Sequence, residues 1–131
     1  MNIGQLNHYR RKLAYEMDSW DLHAALGSGE PVVVVDGRSE EAYAAEHIPG
    51  ALNLPHRRIS SDSTALLDTS MTYVCYCDGI GCNASTKTAL KLLKLGFAVR
   101  ELIGGLDWWK RDGYATAGEN ARPGTPVACA C

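Results

Sequence analysis

The chain has 131 residues, of which 46% are hydrophobic, and a formal net charge of −2. This size and composition are typical of one ordinary globular domain and exclude a strongly basic nucleic-acid-binding protein. No apolar run approaches the roughly 20 residues of a membrane-spanning helix, and residues 1–18 lack the apolar core of a signal peptide. We therefore expect a cytoplasmic protein with no nucleic-acid or membrane partner.

Two helices are predicted at the start of the chain. The first spans residues 5–17 and places Leu6, Leu13 and Met17 on one face. The second spans residues 20–26 and ends at a glycine, as helices commonly do.

Short apolar strands then alternate with amphipathic helices. The predicted strands lie at residues 31–36, 50–55, 71–77 and 98–103. The predicted helices lie at residues 38–47, 85–96 and 106–113. Because this alternation is typical of βαβ units, it predicts an α/β fold around a parallel sheet.

The chain divides into three segments on this pattern. We expect an N-terminal helix at residues 1–18, a domain at residues 19–114 and a C-terminal tail at residues 115–131. The tail is rich in Gly, Pro and Ala, which predicts a flexible segment, and it contains Cys129 and Cys131.

The segment YVCYCDGIGCNASTK, residues 73–87, joins a predicted strand to a predicted helix. Functional sites of parallel sheets lie beyond the carboxyl ends of the strands. Backbone amides at a helix N-terminus stabilise an anion such as a phosphate, a thiolate or a persulfide. Cys75 lies within the strand and is expected in the core, whereas Cys77 and Cys82 flank the loop glycines. We expect one of these last two to be a nucleophile.

Zinc binding is the alternative for these cysteines. The chain has five cysteines, which excludes complete internal pairing, and His47 is a further possible ligand. Structural zinc sites usually combine two closely spaced pairs, and the single tight pair here, Cys129 and Cys131, is in the tail. We therefore expect no metal ion and no cofactor.

Three motifs in order indicate a family. VVVVDGRSEEAYAAEHIPGALNLP, residues 32–55, is a strand ending in Asp-x-Arg, then an acidic helix and a His-Ile-Pro-Gly-Ala stretch. LIGGLDWWKRDGY, residues 102–114, is a Gly-Gly turn and a tryptophan helix, and the cysteine loop lies between the two. In these features residues 19–114 resemble the rhodanese-like (rhodanese-homology) domain family, in its single-domain sulfurtransferase type. The resemblance implies a central parallel sheet flanked by helices on both sides, and a cysteine that takes up sulfane sulfur as a persulfide.

The chain departs from the family pattern in two places. Glu46 stands where the family usually has the glycine before His-Ile-Pro. The cysteine loop is two residues longer than usual and has no Arg or Lys before Lys87. Phosphatases of this fold hold the phosphoryl group with an Arg six residues after the cysteine, and neither candidate cysteine has one. Phosphatase activity is therefore not expected.

The family pattern and the local chemistry favour different nucleophiles. The alignment favours Cys77, although Asp78 beside it opposes its ionisation. Cys82 lies next to the helix start, and a subgroup of the family with a similar Cys-Asn-x-Ser/Thr-Thr-Lys loop is expected to place its cysteine here. We expect Cys82 to be the nucleophile, with Cys77 as the alternative or as a resolving partner that forms a disulfide with it. The other predicted residues of the active-site loop are Asp78, Gly79, Ile80, Gly81, Asn83, Ala84, Ser85, Thr86 and Lys87.

Three residues of the first motif are expected to support the site. Asp36 and Arg38 follow the first strand, where they can form a buried pair that fixes the neighbourhood of the loop. His47 is expected to shape a turn by hydrogen bonding to the backbone.

The sequence therefore predicts a sulfurtransferase with a small-molecule or protein sulfur donor and a thiol acceptor, and it does not define the oligomeric state. Since the loop has no Arg, thiosulfate is expected to be a poor donor. The alternatives are a catalytically inactive binding or regulatory module and a thiol redox switch through Cys77 and Cys82. Tethering would let Cys129 or Cys131 relay sulfur from the persulfide.

Overall fold

A computed structural model of the protein describes residues 1–125. Within these residues the chain forms five strands: β1 (Glu16–Met17), β2 (Val32–Asp36), β3 (Leu52–Asn53), β4 (Thr72–Tyr76) and β5 (Ala98–Leu102). The helices of the same region are α1 (Ile3–Tyr15), α2 (Ser19–Gly27), α3 (Glu40–Ala45), α4 (Ala84–Lys94) and α5 (Gly105–Arg111), with a 3₁₀ turn at His56–Arg58.

The strands form one parallel sheet in the order β1-β5-β4-β2-β3. Successive residues of a strand point to opposite faces, so β4 contributes to two apolar clusters. Val74 packs with residues of α2 and α5 on one face, and Cys75 packs with residues of α4 on the other. The predicted α/β fold, a central parallel sheet with helices on both sides, is confirmed.

The first helix differs from its prediction. α1 ends at Tyr15, and Met17 belongs to β1, where it pairs with Leu102 and is buried. Leu13, expected on the apolar face of the helix, is 79% exposed. Helical periodicity does not distinguish an apolar residue inside a helix from one just after it. The pairing of Met17 with β5 makes this distinction. Residues 1–18 thus supply an edge strand of the sheet in addition to a helix.

The segment expected to begin a flexible tail is hydrogen bonded to α3 and the turn after it. Ala117 and His47 exchange two backbone hydrogen bonds of 2.9 Å. The amides of Glu119 and Asn120 donate to carbonyl groups at the end of α3 at 2.9 and 2.8 Å. These backbone bonds join Ala117, Glu119 and Asn120 to the body of the domain, a connection that composition alone does not indicate. Cys129 and Cys131 lie outside the described residues.

The carboxyl ends of β2 and β4 are adjacent, because Asp36 pairs in register with Tyr76. The cysteine loop follows β4 at this edge, and the Asp36–Arg38 motif follows β2. Within residues 1–125, no helix is both long enough and apolar enough to cross a membrane.

Candidate active site

The cysteine loop begins at the end of β4 and is held against α5. The carbonyl of Cys77 accepts a hydrogen bond from the Leu106 amide at 2.9 Å, and that of Asp78 accepts one from the Asp107 amide at 2.8 Å. A Cβ atom on Gly105 would lie 2.3 Å from the Cys77 carbonyl oxygen, and its φ is +57°. The second glycine of the Gly-Gly turn therefore permits this close approach.

A disulfide joins Cys77 to Cys82 and closes the loop. The two Cα atoms are 6.2 Å apart, within the range that a disulfide spans. Cys77 is 2% exposed, whereas Cys82 is partly exposed. An incoming molecule can therefore reach the sulfur of Cys82 more readily than that of Cys77.

Helix α4 begins two residues after Cys82, at Ala84. Amide groups in the first turn of a helix have no acceptor within the helix and are available to an anion. The structure adds a carboxylate that the sequence did not reveal, because Glu101 of β5 accepts hydrogen bonds from Thr86 at 3.0 Å and from Ser85 at 3.4 Å. Its negative charge partly offsets the positive end of the helix.

The remaining loop residues surround this helix start. Ile80 is 74% exposed, and Gly81 and Asn83 are exposed as well. Lys87 is exposed, and burial together with the charges of Lys87 and its neighbours lowers the pKa of His56. The positive charge of Lys87 therefore acts near the 3₁₀ turn.

The predicted Asp36–Arg38 pair is linked to the cysteine loop through Asp78. Arg38 donates to both carboxylate oxygens of Asp36, from Nη2 at 2.7 Å and from Nε at 3.0 Å, and its Nη1 donates to Asp78 at 2.9 Å. Burial opposes the charge of Arg38, but the bonds to Asp36 and Asp78 outweigh it and raise its pKa. The charge of Asp78 is thus compensated by Arg38, which weakens its expected opposition to a Cys77 thiolate.

Both cysteines line a groove of about 500 Å³ between the loop, the start of α3 and the 3₁₀ turn. Its charged lining residues are Arg38, Arg57, Arg58, Glu40, Glu41 and Asp78. Arg57 and Arg58 were missed in the sequence because the 3₁₀ turn is distant from the cysteines in the chain. The run His-Arg-Arg after Pro55 was the available signal, since it follows a strand at the same edge of the sheet.

His47 and Cys75 lie in structural surroundings. The Nδ1 atom of His47 is 2.6 Å from the Tyr43 carbonyl oxygen, and its ring stacks on Tyr43. Cys75 is buried, and this burial, with the charge of Glu101, raises the pKa of its thiol to about 12. Cys75 therefore remains a neutral core thiol. Over residues 1–125, no three or more His, Cys, Asp or Glu side chains are grouped to hold a metal ion.

Comparison with known proteins identifies the family of the chain. The family model described as Rhodanese-like domain matches residues 20–112, which is more than half of the chain. The chain belongs to the rhodanese-like domain family. Its predicted family membership is thereby confirmed.

Three relatives show how far this similarity extends. The BH2092 protein of Bacillus halodurans has 38% identity and a TM-score of 0.88, with 92% of this chain and 89% of that chain covered. Thiosulfate sulfurtransferase GlpE of Pseudomonas entomophila is 37% identical over 62% of this chain and 72% of its own length. The HTH-type transcriptional regulator Rv0324 of Mycobacterium tuberculosis is 34% identical over 63% of this chain. The chain spans only 36% of that regulator.

Proposed function

We propose that the protein is a sulfurtransferase of the rhodanese-like family and that Cys82 is its nucleophile. The observation that carries this proposal is the cysteine pair at the carboxyl edge of the sheet, in which Cys82 is the more exposed residue. The relatedness to a thiosulfate sulfurtransferase supports the same class of chemistry.

The reaction starts from the reduced pair. The Cys82 thiolate attacks the outer, sulfane sulfur of the donor, whose S–S bond breaks so that the rest of the donor leaves as a thiolate. Cys82 then bears the sulfur as a persulfide. An acceptor thiolate attacks the outer sulfur, which restores the Cys82 thiolate and forms a new persulfide on the acceptor. Free amides at the start of α4 stabilise the anionic forms of Cys82.

The charges of the groove support a persulfide as the donor. Three arginines and three carboxylates line it, and Arg58 forms an ion pair with Glu40. These charges balance, so the groove lacks the cationic excess that would favour the thiosulfate dianion. We therefore propose that low-molecular-weight or protein persulfides react faster than thiosulfate.

Single substitutions test the nucleophile. Reduced Cys77→Ser and Cys82→Ser variants are treated with a persulfide donor, and intact mass is measured. We expect Cys77→Ser to gain one sulfur atom and Cys82→Ser to gain none. Cys75→Ala is the matched control, because it removes a third sulfur close to the loop, and its mass change should equal that of the wild type. If Cys77→Ser gains no sulfur atom and Cys82→Ser gains one, the nucleophile is Cys77.

Two observations favour other functions. The similarity to a transcriptional regulator favours a binding or regulatory module, for which no cysteine would gain sulfur. The Cys77–Cys82 disulfide favours a redox switch, for which mild oxidation would remove two hydrogens while the reduced protein took up no sulfur. Sulfur uptake therefore separates the sulfurtransferase from both alternatives, and the mass after mild oxidation separates the redox switch from the binding module.

The proposal also includes the cellular location of the protein and its sulfur acceptor. We propose a cytoplasmic protein, since a reducing compartment would keep the pair available as thiols. A relay through Cys129 or Cys131, which lie outside the described residues, remains a prediction. Removal of residues 127–131 should slow transfer to large acceptors and leave the first persulfidation unchanged.

A further inference from the structure

The two cysteines of the loop differ in the space that is available around their side chains. Cys77 is enclosed by the end of β4, the start of α5 and the loop, and is 2% exposed, so little space remains around its sulfur. Cys82 opens onto the groove. Both residues line the groove, but Cys82 is the more exposed, so an additional sulfur atom has more room on Cys82 than on Cys77.

The disulfide defines which sulfur Cys77 can reach. It bonds Cys77 Sγ to Cys82 Sγ, the atom that becomes the inner sulfur of a Cys82 persulfide. The outer sulfur of that persulfide has room in the groove that Cys82 lines. A Cys77 thiolate is thus placed to attack the inner sulfur.

We propose that Cys77 resolves the Cys82 persulfide and releases the donor's sulfur as hydrogen sulfide; this inference rests on the proposed function. The Cys77 thiolate attacks Cys82 Sγ and forms the Cys77–Cys82 disulfide. The bond from Cys82 Sγ to the outer sulfur breaks, and that sulfur leaves with the electron pair and one proton as HS⁻. The sulfane sulfur is reduced, and the two cysteines are oxidised to the disulfide. A dithiol of the reducing compartment then restores both thiols and is itself oxidised.

This step differs from transfer to an acceptor in its product. Transfer conserves sulfane sulfur on a second thiol, whereas resolution by Cys77 converts it to sulfide. A thiol tethered in the same loop has an effective concentration of at least about millimolar, far above micromolar acceptors. Resolution should therefore dominate when acceptor thiols are dilute.

A single-turnover experiment tests the proposal. Full-length protein is reduced, freed of reductant and mixed with one equivalent of glutathione persulfide, and sulfide, intact mass and modified peptides are measured. The wild type should release about one sulfide per protein and lose two hydrogens through a Cys77–Cys82 disulfide. Cys77→Ala should retain one additional sulfur on Cys82, with sulfide release at least about tenfold slower, because the tethered thiol is gone.

Controls keep each outcome informative. Cys75→Ala should release sulfide like the wild type, and Cys77→Ser replaces the alanine variant if that variant does not fold. Equal sulfide release by wild type and Cys77→Ala would overturn the proposal, as would an extra sulfur located on Cys77. Loss of release in a Cys129→Ser/Cys131→Ser variant, but not in Cys77→Ala, would assign the attack to the tail and also overturn it. Absence of any sulfur uptake by Cys77→Ala, with no sulfide from the wild type, would instead reject the proposed sulfurtransferase itself.

Discussion

The hydroxyl of Tyr76 donates a hydrogen bond to Asp36 Oδ2 at 2.7 Å and accepts one from the Ile48 amide at 3.0 Å. This one oxygen atom therefore joins β4, β2 and the turn after α3. Burial and the adjacent charge of Asp36 raise the pKa of Tyr76, so the hydroxyl remains neutral and able to donate. Because Cys77 follows Tyr76 directly, these bonds fix the start of the cysteine loop.

Replacing Tyr76 with Phe should destabilise the protein by about 1–3 kcal/mol, since the Ile48 amide and one Asp36 oxygen each lose a buried partner. The free energy of unfolding in urea measures this effect. Tyr9→Phe is the matched control, because Tyr9 is an exposed residue of α1, and it should change stability little. Equal effects of the two substitutions would contradict the role of the buried hydroxyl.

Gly37 and Thr88 form a steric contact beside the same network. A Cβ atom on Gly37 would lie 2.2 Å from Thr88 Oγ1, and Thr88 is fully buried. Gly37→Ala should therefore destabilise the protein by about 1–3 kcal/mol through overpacking. Gly27→Ala, where a new Cβ would meet nothing within 4 Å, is the control and should have little effect.

The Thr88→Ala background distinguishes this clash from other causes. Removal of the hydroxyl makes room, so Gly37→Ala should cost less there than in the wild type, with a coupling of at least about 1 kcal/mol between neighbouring sites. Urea unfolding of the four proteins of this cycle gives the coupling. Additive effects would show that the contact with Thr88 is not the source of the destabilisation.

Local sequence patterns predicted part of the fold and part of the site. The β-branched run of β2 predicts its strand, and the strand–cysteine–helix order places Cys77 and Cys82 at the carboxyl edge. Met17 was misassigned because only its pairing with β5 decides its structure, and the bonds of Ala117, Glu119 and Asn120 to distant residues leave no local pattern either. Glu101 was missed for the same reason, since its approach to α4 depends on the neighbouring position of β5 in the sheet.

Asp78→Asn should improve the use of thiosulfate. Asp78 is an exposed carboxylate on the groove, and its removal leaves Arg38 with one negative partner fewer. We expect kcat/KM for thiosulfate to rise by about twofold to fivefold, because solvent and salt screen part of the Asp78 charge. The change for a persulfide donor should be smaller. Glu30→Gln, just before β2 at the opposite edge of the sheet, is the control. An equal rise for both variants would rule out a local charge effect.

Glu46 should make the attachment of the C-terminal segment dependent on pH. Its carboxylate is buried and accepts hydrogen bonds from Thr116 at 2.7 Å and Lys110 at 3.0 Å, and it lies 3.3 Å from Arg122. Burial alone would raise the pKa of Glu46, but these partners outweigh burial and lower it from the ordinary value of 4.5. A carboxylate whose pKa is lowered by folding stabilises the folded state above its unfolded-state pKa, and this stabilisation is lost as pH falls through the lower, folded-state value.

Glu46→Gln removes that titration while it retains a side chain of similar shape. In urea unfolding, the wild type should be more stable than the variant at pH 7, and the difference should shrink as pH falls below about 4.5. Glu119→Gln is the matched control in the same segment, because the amide of Glu119 provides its hydrogen bond to α3 and the substitution leaves that amide unchanged. Limited proteolysis at pH 7 should also cut residues 115–125 faster in Glu46→Gln than in Glu119→Gln. A stability difference that stays constant from pH 7 to pH 3, or one that Glu119→Gln reproduces, would contradict the role of the Glu46 carboxylate.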